Sequence, residues 1–240
     1  MKILDDVIDS LVYRETKVSE VHVCAHWTAV LSRSCGLAST VMRDVHPHEG
    51  VRDVGSLTEK SAFEVALYSR SENPLEASVG MAAINSLIDA DESRCVEANA
   101  YEILLEKGRG KNVAIVGHFP FVSALRESAK NFWLVEKRPL EGALTEEAAE
   151  EILPTCDVVG ITGTAFINHT LENLLSRCKR SFVALIGPTT PLTPILFDHG
   201  IDLISGSKVI NPQEVIRFIS QGATFREVHR HGVKLLTMMG

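Results

Sequence analysis

The 240-residue chain is short of several things, and each shortage removes a class of explanation. It has no run of about 18 apolar residues, so no membrane-spanning helix is expected. Its five cysteines are odd in number and contain no CxxC pair, which argues against a disulfide framework. Lys and Arg number 24 against 31 Asp and Glu, a net charge of -7. With no basic surplus to neutralise phosphates, non-specific DNA or RNA binding is not expected. An anionic small ligand stays open, because local fields and backbone donors can override the overall sign. The opening MKILDDVIDSLV lacks the plan of a signal peptide. Its Ile3, Val7, Ile8 and Leu11 fall at helical spacing broken by Asp5, Asp6 and Asp9, the pattern of an amphipathic helix. The expected address is the cytoplasm.

What is present is ordinary for a globular protein: 45% apolar and 23% charged residues, and length enough for one large or two small domains. The pattern changes near residue 108. Before it, a helix (about 3–12) leads into two strand-like runs (about 18–25 and 27–33), an irregular stretch (39–60) and helical segments at about 59–70, 75–89 and 92–106. KGRGKN (107–112) reads as a hinge, dividing the chain into a small α+β domain, 1–107, and a second domain, 108–240. In the second domain short apolar runs without alternation (VAIVG, FWLVE, VVGITG, FVALIG) alternate with helical patterns. That is the signature of a Rossmann-like parallel sheet, buried on both faces beneath helices. REVHRHGVKLLTM reads as a terminal hairpin turning at His231-Gly232.

Open parallel sheets bind ligands beyond the carboxyl ends of their strands, where strand order reverses. That rule selects four loops. GHFPF supplies Gly117, His118, Phe119 and Pro120: a tight turn, a proton-exchanging or ligating imidazole, and a proline suited to a first helical turn. It is not GxGxxG. Glu136, 19 residues after Gly117, stands where such folds place a ribose-binding acid, or else faces water. GITGTAF supplies Thr162 and Gly163, and GPTTPLTP supplies Gly187, Pro188, Thr189, Thr190 and Pro191 as a stiff ligand wall or a rigid crossover. SGSKVINP, with Ser205, Gly206 and Lys208, reads as a solvated loop. In the first domain EASVGMAAINS is a helix of small residues fit for close packing, carrying Glu76 and Ser78 in its first turn and Asn85 near its end.

Three of these stretches, EASVGMAAIN (76–85), VGHFP (116–120) and GPTTPLTPILFDHG (187–200), together resemble the bacterial and archaeal heavy-metal chelation proteins, a family long classed as a domain of unknown function. The resemblance covers nearly the whole chain. It implies an N-terminal domain like that of enolase, a Rossmann-like C-terminal domain and a ligand site in the cleft between them. Glu76, Ser78 and Asn85 would then face the loops at Gly117–Pro120 and Gly187–Pro191. Enolase chemistry is not implied, because the catalytic barrel is absent.

VHVCAHW (21–27) poses the metal question separately. On a strand, His22, Cys24 and His26 would share one face, with neighbours about 6.5–7 Å apart. Two could converge on one ion, and His46 or His48 could complete a tetrahedral set. A small buried hydrophobe and two solvated histidines are the plainer alternative. Three functional readings follow. The first is a small-ligand-binding protein that chelates a transition metal such as Ni, Co, Cu or Zn, or a metal-carrying small molecule, through Glu76 and His118. The second is an enzyme using a nucleotide-type cofactor (an S-adenosyl or nicotinamide compound) with Glu136 on the ribose and His118 as acid or base. The third is a scaffold without a ligand. A homodimer is compatible with all three.

Overall fold

The computed structural model describes residues 2–42, 49–97, 100–136 and 143–240. Helix α1 (Lys2–Asp9) buries Ile3, Leu4, Val7 and Ile8, the stripe expected from their spacing. Strands β1 (Glu20–Val23), β2 (Trp27–Leu31) and β3 (Cys35–Ser39) then form an antiparallel sheet in that order. Helix α2 (Ala62–Ala66) starts at a capping box between Ser61 and Glu64. It is followed by α3 (Pro74–Leu87), begun by an Asn73 cap on the Leu75 amide (2.9 Å) with proline in the first position.

Twelve of the fourteen residues of α3 are buried, which makes it a central helix with no solvent face. Its small residues permit this. A Cβ on Gly80 would lie 2.0 Å from the Ser69 backbone nitrogen, and one on Gly36 of β3 would lie 2.0 Å from the Ala82 carbonyl oxygen of α3. The antiparallel sheet is covered on both sides. Val30 and Ala38 join the core around α3, while Trp27, Ala29 and Leu37 pack against residues from the far end of the chain.

The second half runs α4 (Ala100–Gly108), β4 (Asn112–Val116), α5 (Val122–Ser128), β5 (Asn131–Val135), β6 (Ala143–Leu144), α6 (Glu146–Ile152), β7 (Val158–Thr162), α7 (Thr164–Ile167), α8 (Leu171–Arg177), β8 (Phe182–Ile186), β9 (Leu203–Val209), α9 (Pro212–Ser220), α10 (Phe225–Gly232) and β10 (Val233–Met239). The seven strands lie in the order β10-β9-β8-β7-β4-β5-β6, all parallel except β10. Successive residues point to opposite faces, and both faces are apolar. Val113 and Ile115 of β4 meet Ala100 and Leu104 of α4 on one face. Ala114 of β4, with Val159 and Ile161 of β7, joins the core shared with α3 and α7 on the other. The result is a mixed α/β protein, a small antiparallel sheet beside a mostly parallel sheet flanked by helices. No helix among the described residues is long and apolar enough to cross a membrane.

Several sequence expectations need correction. Residues 226–238 form no hairpin. Thr224 and Glu227 make a capping box that starts α10, so His229 and His231 are helical, and β10 then pairs antiparallel with β9. SGSKVINP is not a solvated loop, because its first five residues belong to β9. There the buried Ser205 hydroxyl accepts a hydrogen bond from Thr237 (2.9 Å), which lets a polar residue sit inside a sheet. Of the helix expected at 92–106, Ala100–Gly108 is α-helical, Glu92–Arg94 forms a 3-10 turn, and Val96 is bridged to Thr237. Strand β3, built largely of small residues, was not anticipated.

The tight fit around α3 makes a specific demand. Gly80→Ala is expected to lower the free energy of unfolding by about 3 kcal/mol or more in a denaturant titration, since backbone must move. A loss under about 1 kcal/mol contradicts this packing account.

Candidate functional site

The parallel strands run outward in both directions from β4: β5 and β6 lie on one side, β7, β8 and β9 on the other. The crevice at their carboxyl ends holds a pocket of about 300 Å³. Its walls are Val116 closing β4 with Gly117 and His118 after it, Val135 and Glu136 at β5, and Thr162 closing β7. Thr164, Ala165, Asn168 and Thr170 follow from α7 onward, and Ser39 reaches in from the end of β3. Gly117 has φ +104°, and a Cβ there would lie 2.8 Å from the Thr162 side chain. Glycine is needed at this position for both conformation and space. The Thr162 and Thr164 hydroxyls are 3.0 Å apart. The Gly117 amide is held by the Val135 carbonyl (2.9 Å) and the Glu136 amide by the Leu144 carbonyl (3.1 Å), so both turns are fixed by their neighbouring strands. The His118 side chain is exposed at the mouth.

Four of the residues expected at the site therefore line one pocket: Gly117, His118, Glu136 and Thr162. The others lie around it or away from it. Phe119 stacks on Phe121 (ring centroids 5.1 Å apart), which in turn meets Tyr101, while Pro120 is exposed. Gly163 packs under Thr190, whose buried hydroxyl has no partner among the described residues. Gly187 enters its loop at φ +113°, with Pro188 half-buried and Pro191 buried. Thr189 is almost wholly enclosed. It accepts from the Ser39 amide (2.9 Å) and donates to the Ser39 hydroxyl (3.2 Å).

The polar residues of α3 are engaged with backbone. Asn85 donates to the carbonyls of Leu37 (2.9 Å), Pro188 (3.3 Å) and Thr189 (3.3 Å). Ser78 accepts from the Val41 amide (3.0 Å) and donates to the Pro74 carbonyl (2.7 Å). Glu76 accepts from the Arg52 amide (2.7 Å) and pairs with the Arg52 guanidinium (3.3 Å). None of the three lines the pocket. Sequence reasoning missed Ser39, Asn168 and Thr170. Thr164 and Ala165 fell inside GITGTAF and were readable there, but Ser39 reaches the pocket through tertiary packing that leaves no local signal.

The HxCxH stretch does not form one strand. β1 ends at Val23, and the chain turns through Cys24, Ala25 and His26 before β2, the Cys24 amide bonding to the Trp27 carbonyl (2.9 Å). His22 pairs instead with Glu20 (2.7 Å) and His26 is exposed. His46 and His48 lie outside the described residues. Among the described residues no group of three or more His, Cys, Asp and Glu side chains is arranged to hold a metal ion. Burial raises every thiol: Cys35 to about 12, Cys156 to about 11 and Cys178 to about 12, with smaller upward shifts at Cys24 and Cys95. Neutral thiols are poor ligands and poor nucleophiles.

Comparison with known proteins agrees with this architecture. Residues 99–238 match the family DUF364 and residues 4–88 the family DUF4213, both described as "Putative heavy-metal chelation". An uncharacterised protein of Methanocaldococcus jannaschii is 29% identical over 197 residues, which is 78% of this chain and 74% of that one. A crystal structure of a DUF364 protein with unknown function from Desulfitobacterium hafniense is similar at TM-score 0.88 and 27% identity, covering 100% of this chain and 98% of the other. A second DUF364 structure, from Pyrococcus horikoshii, shares the fold at TM-score 0.79 and 21% identity, covering 98% and 97%.

The thiol environments predict an order of reactivity. At about pH 8 a small alkylating reagent should modify the half-exposed Cys24 and Cys95 first, and Cys35, Cys156 and Cys178 only after unfolding. Equal labelling of all five in the folded protein would contradict it.

Proposed function

The chain belongs to the DUF364 family, described as "Putative heavy-metal chelation", and on that premise we propose that the pocket at the ends of β4, β5 and β7 binds a small polar organic molecule, any metal entering as that molecule's complex. The lining carries the argument. Among the described residues it offers hydroxyls from Ser39, Thr162, Thr164 and Thr170 and the Asn168 amide, but two strong metal donors, His118 and Glu136. A protein-enclosed transition metal takes about four ligands, so this donor set does not fit a bare ion. It does fit a complex whose organic part brings most of the donors and hydrogen-bonds to the hydroxyls. An imidazole and a carboxylate suit Ni, Co, Cu or Zn, and a volume of about 300 Å³ matches the lower range of small-molecule pockets.

The site then lies between two units, residues 1–107 and a Rossmann-like 108–240, with Ser39 as the first unit's contribution. Glu76, Ser78, Asn85 and the 187–191 loop support it from behind. A second reading, a nucleotide-type cofactor, is favoured by one observation. Gly117 and Glu136 line the same pocket where strand order reverses, the arrangement by which such folds hold a ribose.

Calorimetric titration separates the two. With Ni(II) as probe, the Ni(II)–histidine complex should bind at least about tenfold more tightly than Ni(II) alone, and His118→Ala should weaken it by about tenfold. Tighter binding of Ni(II) alone, or no effect of His118→Ala, would contradict the first reading. Saturable binding of S-adenosylmethionine or NAD, lost in Glu136→Ala, would establish the second.

A further inference from the structure

We infer that Thr189 is a positioning residue for this pocket, orienting Ser39 so that its hydroxyl donates a hydrogen bond to an acceptor oxygen, such as a carboxylate, on the bound molecule. The inference rests on the pocket being the binding site.

Among the described residues Ser39 is the one lining residue that precedes β4 in the chain, and it is the last residue of β3. A serine hydroxyl can rotate to several partners. Thr189 holds both the amide and the hydroxyl of Ser39 with one oxygen. Its Oγ1 accepts from the Ser39 amide at 2.9 Å and donates its proton to the Ser39 Oγ at 3.2 Å. Thr189 is 1% exposed, so water does not compete for these bonds. Because Ser39 Oγ already accepts from Thr189, its own proton is left to donate. In a pocket it also lines, the complementary group is an oxygen acceptor on the ligand.

Thr189 is itself fixed. The Asn85 amide holds the Pro188 and Thr189 carbonyls at 3.3 Å each while bonding the Leu37 carbonyl of β3 at 2.9 Å, so loop and strand are pinned to the same helix. This accounts for a threonine buried outside the pocket lining: it acts through Ser39.

The test uses the full-length protein and Ni(II)–histidine, with Ni(II)–histamine, which lacks the carboxylate, as a second probe. Thr189→Val should raise the dissociation constant for Ni(II)–histidine about tenfold, the worth of one hydrogen bond, and Thr189→Ser should restore it. Ser39→Ala should show the same loss, and the double variant Thr189→Val/Ser39→Ala should bind no worse than Ser39→Ala alone, as expected for two residues acting in series. Ni(II)–histamine should be insensitive to both substitutions. If Thr189→Val lowers the melting temperature but leaves affinity unchanged while His118→Ala weakens binding, Thr189 is structural only and the inference is overturned. If neither probe binds wild type, or His118→Ala has no effect, the pocket reading fails and this inference fails with it.

Discussion

A helix with no solvent face must have every neighbour at the right distance, and α3 imposes that condition on both halves of the protein. Gly80 lets the backbone at Ser69 come against it, and Gly36 brings β3 down onto its carbonyls. Burial of its polar residues adds a second condition, since each must find a partner or carry a desolvation cost. Glu76, Ser78 and Asn85 meet it by bonding to main chain at Arg52, Val41, Leu37, Pro188 and Thr189. The helix therefore fixes the end of the small sheet and the loop after β8 together. Through them it fixes Ser39 at the wall of the pocket.

The fold was legible where a local rule sufficed. Asn73-Pro74 marks a helix start, and Gly117 marks a turn that nothing larger could make. The apolar runs of β4, β7 and β8 read as strands because both faces of the sheet are covered. It was less legible where tertiary context decides. Strand β3 (CGLAS) has small residues in place of β-branched ones because it lies against α3. Residues 205–209 look like a loop because they are polar and carry a glycine, yet they lie in β9, where Thr237 bonds the Ser205 hydroxyl across the sheet. The helix before β10 begins at a Thr224–Glu227 capping box, a local signal that the hairpin reading of the histidine-glycine pair leaves out.

The candidate site divided along the same line. Gly117, His118, Glu136 and Thr162 follow from strand ends and topology, so a rule about loops was enough to find them. Glu76 and Asn85, polar residues on a helix of small ones, and Thr189, in a loop chosen by the same rule, instead bond to backbone and to Ser39. A buried polar residue signals that a demand for hydrogen bonds has been met. It does not say whether the partner is a ligand or the chain itself. The metal question turns on the same distinction, because a side chain of ligand type contributes only where others converge with it. His22 pairs with Glu20, and each thiol is held neutral by its surroundings. Among the described residues the pocket keeps one imidazole and one carboxylate among hydroxyls, a lining suited to recognising a molecule more than to enclosing an ion.

That distinction can be weighed directly. Native mass spectrometry of freshly purified, tag-free protein, before and after chelator treatment and with elemental analysis of the same sample, reports what the protein carries. The account predicts an added organic mass, with or without a metal, that is missing from the His118→Ala protein. A stoichiometric metal mass with no organic component, removed by chelator and unaffected by His118→Ala, would contradict it.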